Sequence, residues 1–503
     1  MSYLTPEAKS KLSNTVRNLR SQLLTDLHNA IDSEYRLALP LEKAGLLEEQ
    51  RIKRRRLEQW LDEQARGTTG KKQTARELAL LTAEKLAAAT LLNRLVVIKQ
   101  MEAMELVKPA IVSGGWQSRG YREFRDFAPD LCRAEGDETE GYGLLLQLLF
   151  DELAQELPGL FGSVGVTVLF PIPARTLRGA IEELDALPQE VWLDDTTLGW
   201  VYQFWNDPER EALDSKLNAG GKVEPHEVAL KTQMFTERYI VEWLLHNSLG
   251  QMWLAICKKN GWIPEVEADG TLEKLEKRRQ EWRSQRENGE VALDALMPIE
   301  PGVERYWKYW VPQPLPDALI EHSPKSIQDI KIIDPACGSG HFLVIAFELL
   351  FALYQEEARH LGEDLSERSI VEKILENNLY GIDIDPRAVQ IAVAALFLKA
   401  QSVCYSACPK HLNLVASNLQ LGSMATNDPA LVEFLKEVKE ATGIPENLTY
   451  QIVKTLHHAD SCGVLLKPDT SVNDAIQKYE DEIFPVAQGN LFTGFEPKRE
   501  PLC

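Results

Sequence analysis

Long apolar runs are what this 503-residue sequence lacks most plainly. None approaches the ~20 residues needed to cross a bilayer, so no membrane-spanning helix is expected. Met1–Arg20 has no long apolar core, which argues against a secretory signal at the start. Cysteine is scarce. The seven present lack the dense, even spacing of a disulfide framework, which suits the reducing cytoplasm. Positive charge is in deficit, with 55 Lys+Arg against 76 Asp+Glu and a net charge of -21, and this argues against a non-specific nucleic-acid coat. A local basic surface could still meet DNA. No low-complexity tract or internal repeat is present, and the length implies two or three domains with ample core.

What is there centres on Lys331–Leu343. This stretch reads as a buried strand that breaks at Asp334-Pro335, turns on Gly338 and Gly340, and enters an apolar helix. Strand, glycine turn and helix N-terminus together make a nucleotide-type pocket. Two familiar signatures are missing from it. A dinucleotide fingerprint needs glycine where Leu343 stands, and a P-loop needs Gly-Lys-Ser/Thr at the end of the turn. An acidic residue at the strand tip, Asp334, faces the turn instead, which suits a cationic or hydroxyl-rich ligand better than a pyrophosphate. The stretch Asn378–Arg387 reads as a second buried strand ending in carboxylates and leads to the Ala-rich helix Ala388–Ala400, with Asp385-Pro386 capping it. A strand-end carboxylate such as Asp383 accepts both hydroxyls of a ribose.

Asp-Pro-Ala-Cys-Gly-Ser-Gly-His-Phe-Leu, residues 334–343, resembles motif I of the N6-adenine DNA methyltransferases, whose D-P-x-C-G-S-G-x-F-L turn holds S-adenosyl-L-methionine. The resemblance implies cofactor contacts from Asp334, Ala336, Gly338 and Gly340. By resemblance to motif II, Asp383 takes the ribose and Ile384 lines the adenine. Thr232–Gly250 resembles motif X, which makes Phe235 and Thr236 contacts for the methionine part, with Glu237 in place of the usual proline. The third strand candidate, Leu412–Leu419, falls where motif III carries an Asp that receives the adenine amino group. Here Asn418 stands beside Leu419, and its amide oxygen can accept the same bond.

The region before residue 220 reads as mostly helical and is similar in layout to the leading segment of type IIG restriction-modification and PglX-like phage-defence methyltransferases. Leu19, Leu23, Leu24 and Leu27 form one stripe, Leu91–Ile98 is apolar almost all round with Arg94 pairing or snorkelling, and Leu198–Trp205 is a dense aromatic helix expected in the core. The basic run Arg51–Arg56 is balanced by Glu48, Glu49 and Glu58, and the charged helix Gly270–Asn288 is interleaved with glutamates, so each is expected to be a solvated face. In the motif X helix, Ile240, Leu244 and Leu245 are expected to face inward. Cys404, Cys408, His411, His457, His458 and Cys462 have zinc-ligand chemistry but no standard zinc spacing, so no metal site is expected there. No nuclease signature is found before residue 220.

The family's Asn-Pro-Pro-Tyr/Phe motif, which polarises the target amine and stacks on the base, occurs nowhere in the sequence, and neither does Asp-Pro-Pro. No catalytic residue is therefore assigned. The expected fold is α/β: a helical N-terminal domain (1–220), a partial Rossmann-like S-adenosyl-L-methionine-dependent methyltransferase core (221–425), and a variable segment (426–503). The expected function is methylation of adenine N6 in double-stranded DNA, in the cytoplasm. The catalytic half would come from a second polypeptide or a further C-terminal part. A non-catalytic cofactor-binding subunit and an RNA or protein methyltransferase are the competing readings.

Overall fold

The computed structural model describes residues 4–66, 72–163, 165–223, 227, 234–293, 295–416, 428–455 and 476. Met1–Asn218 and Leu230–Ser417 form one compact unit, while Ala219–Ala229 and Asn418–Cys503 form a second. The first unit is mostly helical, with a small parallel sheet. It opens with α1 (Pro6–Tyr35), whose cap Thr5 accepts the Ala8 N–H at 3.2 Å. Its stripe Leu12, Val16, Leu19, Leu23, Leu27 and Ile31 is buried, with Leu24 at the edge of the core. Helices α2 (Glu48–Arg66) and α3 (Lys72–Ala103) pack on it and on each other. Within α3 the run Leu91–Ile98 is buried nearly all round. Arg94 neither pairs with an acid nor snorkels: it donates to Leu160 O and Gly162 O, both at 2.8 Å, beneath the Phe150 ring.

The basic run in α2 is not uniformly solvated. Lys53 pairs with Glu49 at the surface, but Arg54 is buried and donates to Tyr35 O (2.9 Å), Arg36 O (3.1 Å) and Leu39 O (2.6 Å). It thereby caps Tyr35 O in the last turn of α1 and adds a donor to carbonyls just beyond its C-terminus. Helix α4 (Thr197–Asn218) carries the expected aromatic core. Then come α5 (Arg238–Asn260) and α6 (Thr271–Glu287), in which Arg278 and Arg279 turn inward to Glu304 and Lys308 O rather than to solvent.

Three strands follow, β1 (Ile332–Asp334), β2 (Leu379–Asp383) and β3 (Asn413–Ala416), all parallel in the order β1-β2-β3. Helix α7 (His341–Leu361) connects towards β2, and α8 (Pro386–Val403) joins β2 to β3. Register pairs Asp334 with Gly381 and Asp383 with Ala416. Gly381 lets the layers close. A Cβ there would lie 2.5 Å from Leu414 Cδ2 and 2.9 Å from Leu343 Cδ1. The opposite face of the sheet, carrying Ile333 and Val415, is exposed, and among the described residues β1 pairs with β2 alone. In the second unit α9 (Pro429–Thr442) and α10 (Glu446–Thr455) pack together, with Lys439–Glu446 at 3.0 Å across the turn.

Helix α5 departs from its expected phase. Ile240 and Leu244 are 37% and 42% exposed, and the buried stripe is Arg238, Val241, Glu242, Leu245 and Leu249. The cause is a buried ion cluster. Arg238 donates to Asp195 (2.9 Å), Glu242 (3.0 Å) and Glu348 (2.6 Å). Lys399 pairs with Glu348 and lies 3.3 Å from Asp195, while Lys308 and Arg305 complete the set at Glu242 (2.7 Å) and Glu348 (3.3 Å). Burial opposes the charge on Asp195, but Arg238 and Lys399 outweigh it and hold the carboxyl at about 2. Truncating the hub takes the shared cation from three buried carboxylates and leaves them to Lys399, Lys308 and Arg305. Arg238→Ala should lose roughly 3–5 kcal/mol of unfolding free energy in urea at neutral pH. A loss under about 1 kcal/mol would show that the cluster is not structural.

Candidate functional site

The turn after β1 is built from backbone bonds and two carboxylates. Asp334 accepts the Ala336 N–H at 3.1 Å, closing an Asx turn at the strand end. Cys337 N–H donates to Ile382 O at 2.9 Å, which stitches the turn to β2. Gly338 N–H then donates to Asp383 Oδ2 at 2.9 Å, while Asp383 Oδ1 accepts the Asp385 N–H at 2.8 Å. The two strand-end carboxylates thus meet at one cleft. Burial, and after it the neighbouring Asp383 charge, pushes the Asp334 carboxyl above its ordinary range.

Gly338 and Gly340 both hold left-handed backbone, at φ +53° and +80°, but for different reasons. At Gly340 a Cβ would sit 2.9 Å from Ala392 Cβ, so this glycine lets α7 close on α8. At Gly338 a Cβ would meet nothing within 4 Å. That space is open to a ligand.

Ile384, next to Asp383, is 52% exposed and offers a small apolar surface beside the carboxylate. Asp385 caps α8 as expected, accepting the Arg387 N–H at 2.9 Å. It also takes the Tyr202 hydroxyl (2.9 Å) and the Arg387 guanidinium (2.7 Å). Burial works against its charge, yet Arg387 holds the carboxyl below the usual range.

Phe235 lies against the start of α7. Its ring is 4.3 Å from the His341 ring and 4.6 Å from Trp200, centroid to centroid, and it occupies the space where Gly199 has no side chain. Its N–H donates to Gln203 Oε1 at 2.8 Å. Thr236 follows, half-buried, and Glu237 pairs with Lys9 at 3.1 Å while the Lys9 ammonium sits 3.2 Å above the Trp200 ring. The structure thus brings Phe235 to His341 at the end of the glycine turn and Asp383 to Gly338 within it. Asn418 and Leu419 lie outside the described residues, as do His457, His458 and Cys462. Among the described residues Cys404, Cys408 and His411 form no metal-holding group.

Sequence reading missed Gly199, Tyr202 and Gln203, which it placed in a generic aromatic core. The signal was there: a Gln and a Tyr inside an apolar helix need hydrogen-bond partners once buried. It also missed His341. This ring is buried, its Nε2 has no partner, and burial followed by the Arg238 charge lowers the imidazole to about 4.

The parallel sheet, the glycine turn after its first strand and the two strand-end carboxylates all fall within a stretch that a family model matches. Residues 317–428 match the family described as MmeI, DNA-methyltransferase domain. The adenine-specific methyltransferase BrxX of Escherichia coli O9:H4 (strain HS) is 27% identical over 361 residues, 65% of this chain and 25% of that protein. The adenine-specific methyltransferase PglX of Lacticaseibacillus casei (strain Zhang) is 26% identical over 272 residues, 52% and 19% of the two chains. The PglX of Streptomyces coelicolor is 36% identical over 129 residues, 23% and 10%. The chain is thus similar to proteins described as adenine-specific methyltransferases, and its matched part spans a quarter or less of those proteins' length.

Two outcomes follow from this geometry. Gly340→Ala combines left-handed strain with overlap on Ala392 and should cost roughly 2–5 kcal/mol in a denaturant titration; a neutral result would mean that α7 and α8 part freely. The depressed pKa values of His341 (about 4) and His246 (about 3) set a pH dependence. Both rings are favoured neutral in the fold, so the unfolded chain binds more protons below pH 6.5 and stability falls as pH drops towards 4. Comparing wild type with His341→Asn removes the opposing drift of raised carboxyls such as Asp334 and Glu356. The wild type should lose on the order of 3 kcal/mol more than the variant between pH 7 and pH 4. Parallel curves would refute the buried neutral imidazole.

Proposed function

We propose that this chain supplies the S-adenosyl-L-methionine-binding half of an adenine-specific DNA methyltransferase, in a restriction-modification or phage-defence system, acting on adenine N6 in double-stranded DNA in the cytoplasm. The observation that carries this reading is the open backbone at Gly338, latched to Asp383 at the ends of two adjacent parallel strands. A Rossmann-like core over 221–425, after a helical domain over 1–220 and before a variable segment over 426–503, accords with the motif order.

The residues present fit the cofactor. Asp383 keeps lone pairs beyond its two backbone bonds and would accept the ribose hydroxyls. Ile384 would lie along the adenine with Leu419, and Asn418 would accept its amino group. Gly338 and Ala336 keep the backbone bare of bulk where the ligand approaches, and Gly340 contributes by seating the turn at the start of α7. Asp334 places negative charge near a cationic ligand, and Phe235 with Thr236 would flank the methionine part. When bound, the cofactor supplies an electrophilic methyl group. What this chain does is hold it: the ribose by charge-assisted hydrogen bonds, the ring by apolar contact.

The target adenine must leave the duplex for its exocyclic amine to be reached. The Asn-Pro-Pro-Tyr/Phe motif that would receive it is absent from this sequence, so the proposal assigns that task to a second polypeptide or a further C-terminal part.

Calorimetric titration of the chain with S-adenosyl-L-methionine tests the reading. Saturable binding is expected, weakened at least tenfold to a hundredfold in Asp383→Ala, at about 1.5–3 kcal/mol for each hydrogen bond to the lost charge. Gly338→Ala should fold at a cost of only about 1–2 kcal/mol yet bind poorly, because its new methyl fills the ligand's space. Unchanged affinity in both folded variants would sink the assignment.

A further inference from the structure

Cys257, Glu356 and His360 converge at the far end of the helix pair that frames the cleft. Cys257 sits in the last turn of α5, and Glu356 and His360 lie one turn apart near the end of α7. Their donor atoms, the Cys Sγ, a carboxylate oxygen and an imidazole nitrogen, all lie within 4.8 Å of one another. We propose that these three side chains form a binding site for a zinc-class divalent transition-metal ion that clips the C-terminal ends of α5 and α7 together.

Several independent features support a built site. The Cys257 thiol is 0% exposed and free of any disulfide. His360 Nε2 is buried without a hydrogen-bond partner, 3.7 Å from Glu356 Oε1. A buried ring nitrogen left in this state is costly unless something accepts its lone pair or its proton. Glu356 is 6% exposed, and each of its oxygens already receives one N–H: Oε2 from Trp253 Nε1 at 3.1 Å, Oε1 from Glu265 N at 2.7 Å. Such bonds orient a ligating carboxylate and leave a lone pair on each oxygen for the ion. Trp262 stacks on the His360 ring at 5.2 Å and 4°, fixing its plane.

The donor set chooses the class of ion. One thiolate, one imidazole and one carboxylate suit zinc or its cobalt substitute and not the hard cations, which take oxygen alone. With bonds of about 2.0–2.3 Å, a tetrahedral ion would draw His360, the least buried of the three, inward by about an ångström, and water would take the fourth position. Cys257 binds as thiolate and its proton passes to solvent. The nearby Glu267 and Glu357 carboxylates add to the group's attraction for a cation, while Glu265 is paired with Arg359. Since α7 runs about 30 Å from its glycine turn to this end, the ion has no part in the methyl transfer. Its task is to hold two helices in register.

Purified chain, stripped with a chelator and reloaded with zinc or cobalt, tests the site. Gel-filtered protein should retain one equivalent of zinc and melt several degrees higher than the stripped form. Cobalt should give a thiolate-to-metal charge-transfer band that vanishes in Cys257→Ser and persists in the Cys404→Ser/Cys408→Ser double variant. His360→Gln, altering the least buried ligand, should weaken zinc by at least about tenfold and carries the test if the serine variant does not fold. Substoichiometric zinc, a band that survives Cys257→Ser, or a band lost only in the Cys404/Cys408 variant would each overturn the proposal.

Discussion

The arrangement of this protein depends on one buried ion cluster. Apolar packing drives α5, α7 and α8 together but is indifferent to small rotations about their axes. The cluster is not. Arg238 on α5, Glu348 on α7 and Lys399 on α8 must all point at one place, and Asp195 reaches in from the segment before α4. Burying so many charges is expensive and yields little net stability against an apolar replacement. What it yields is registry. Each of these helices has a site element at its N-terminus: the Phe235 turn before α5, the glycine turn before α7, the Asp383–Asp385 corner before α8. Fixing the helices' rotation fixes where the three turns meet.

Legibility in the sequence divides along the same line. The glycine turn, the Asp385 cap, the two strands with their carboxylates and the α1 stripe are local devices, set by backbone angles, caps and periodicity within a few residues. All are where the sequence puts them, but β1 is not the buried strand expected: one face of the sheet is uncovered and Ile333 is 61% exposed. The phase of α5 was misjudged because Ile240 and Leu244 look like core and Arg238 looks like surface. The partners that reverse this stand 43 and 110 residues away. Arg54 was hidden in a basic run for the same reason: its partners, the carbonyls at the end of α1, are invisible until two helices meet.

Distance in sequence also conceals how far the N-terminal region enters the site. The pattern changes near residue 220, but the packing crosses that point freely. Gln203 satisfies the Phe235 N–H, Tyr202 satisfies Asp385, and Gly199 makes room for the Phe235 ring. Even α1 takes part, through Lys9 on Glu237 and Trp200. A core cut free at residue 220 would leave Phe235 without its floor, and the buried oxygen of Asp385 without its hydroxyl donor. Glu237, where the motif this stretch resembles carries proline, is tied instead to Lys9 at 3.1 Å. The helical region therefore acts as the support on which the Phe235 turn is held, and a substitution at Gly199 or Gln203 reaches that turn without touching any residue of the motifs.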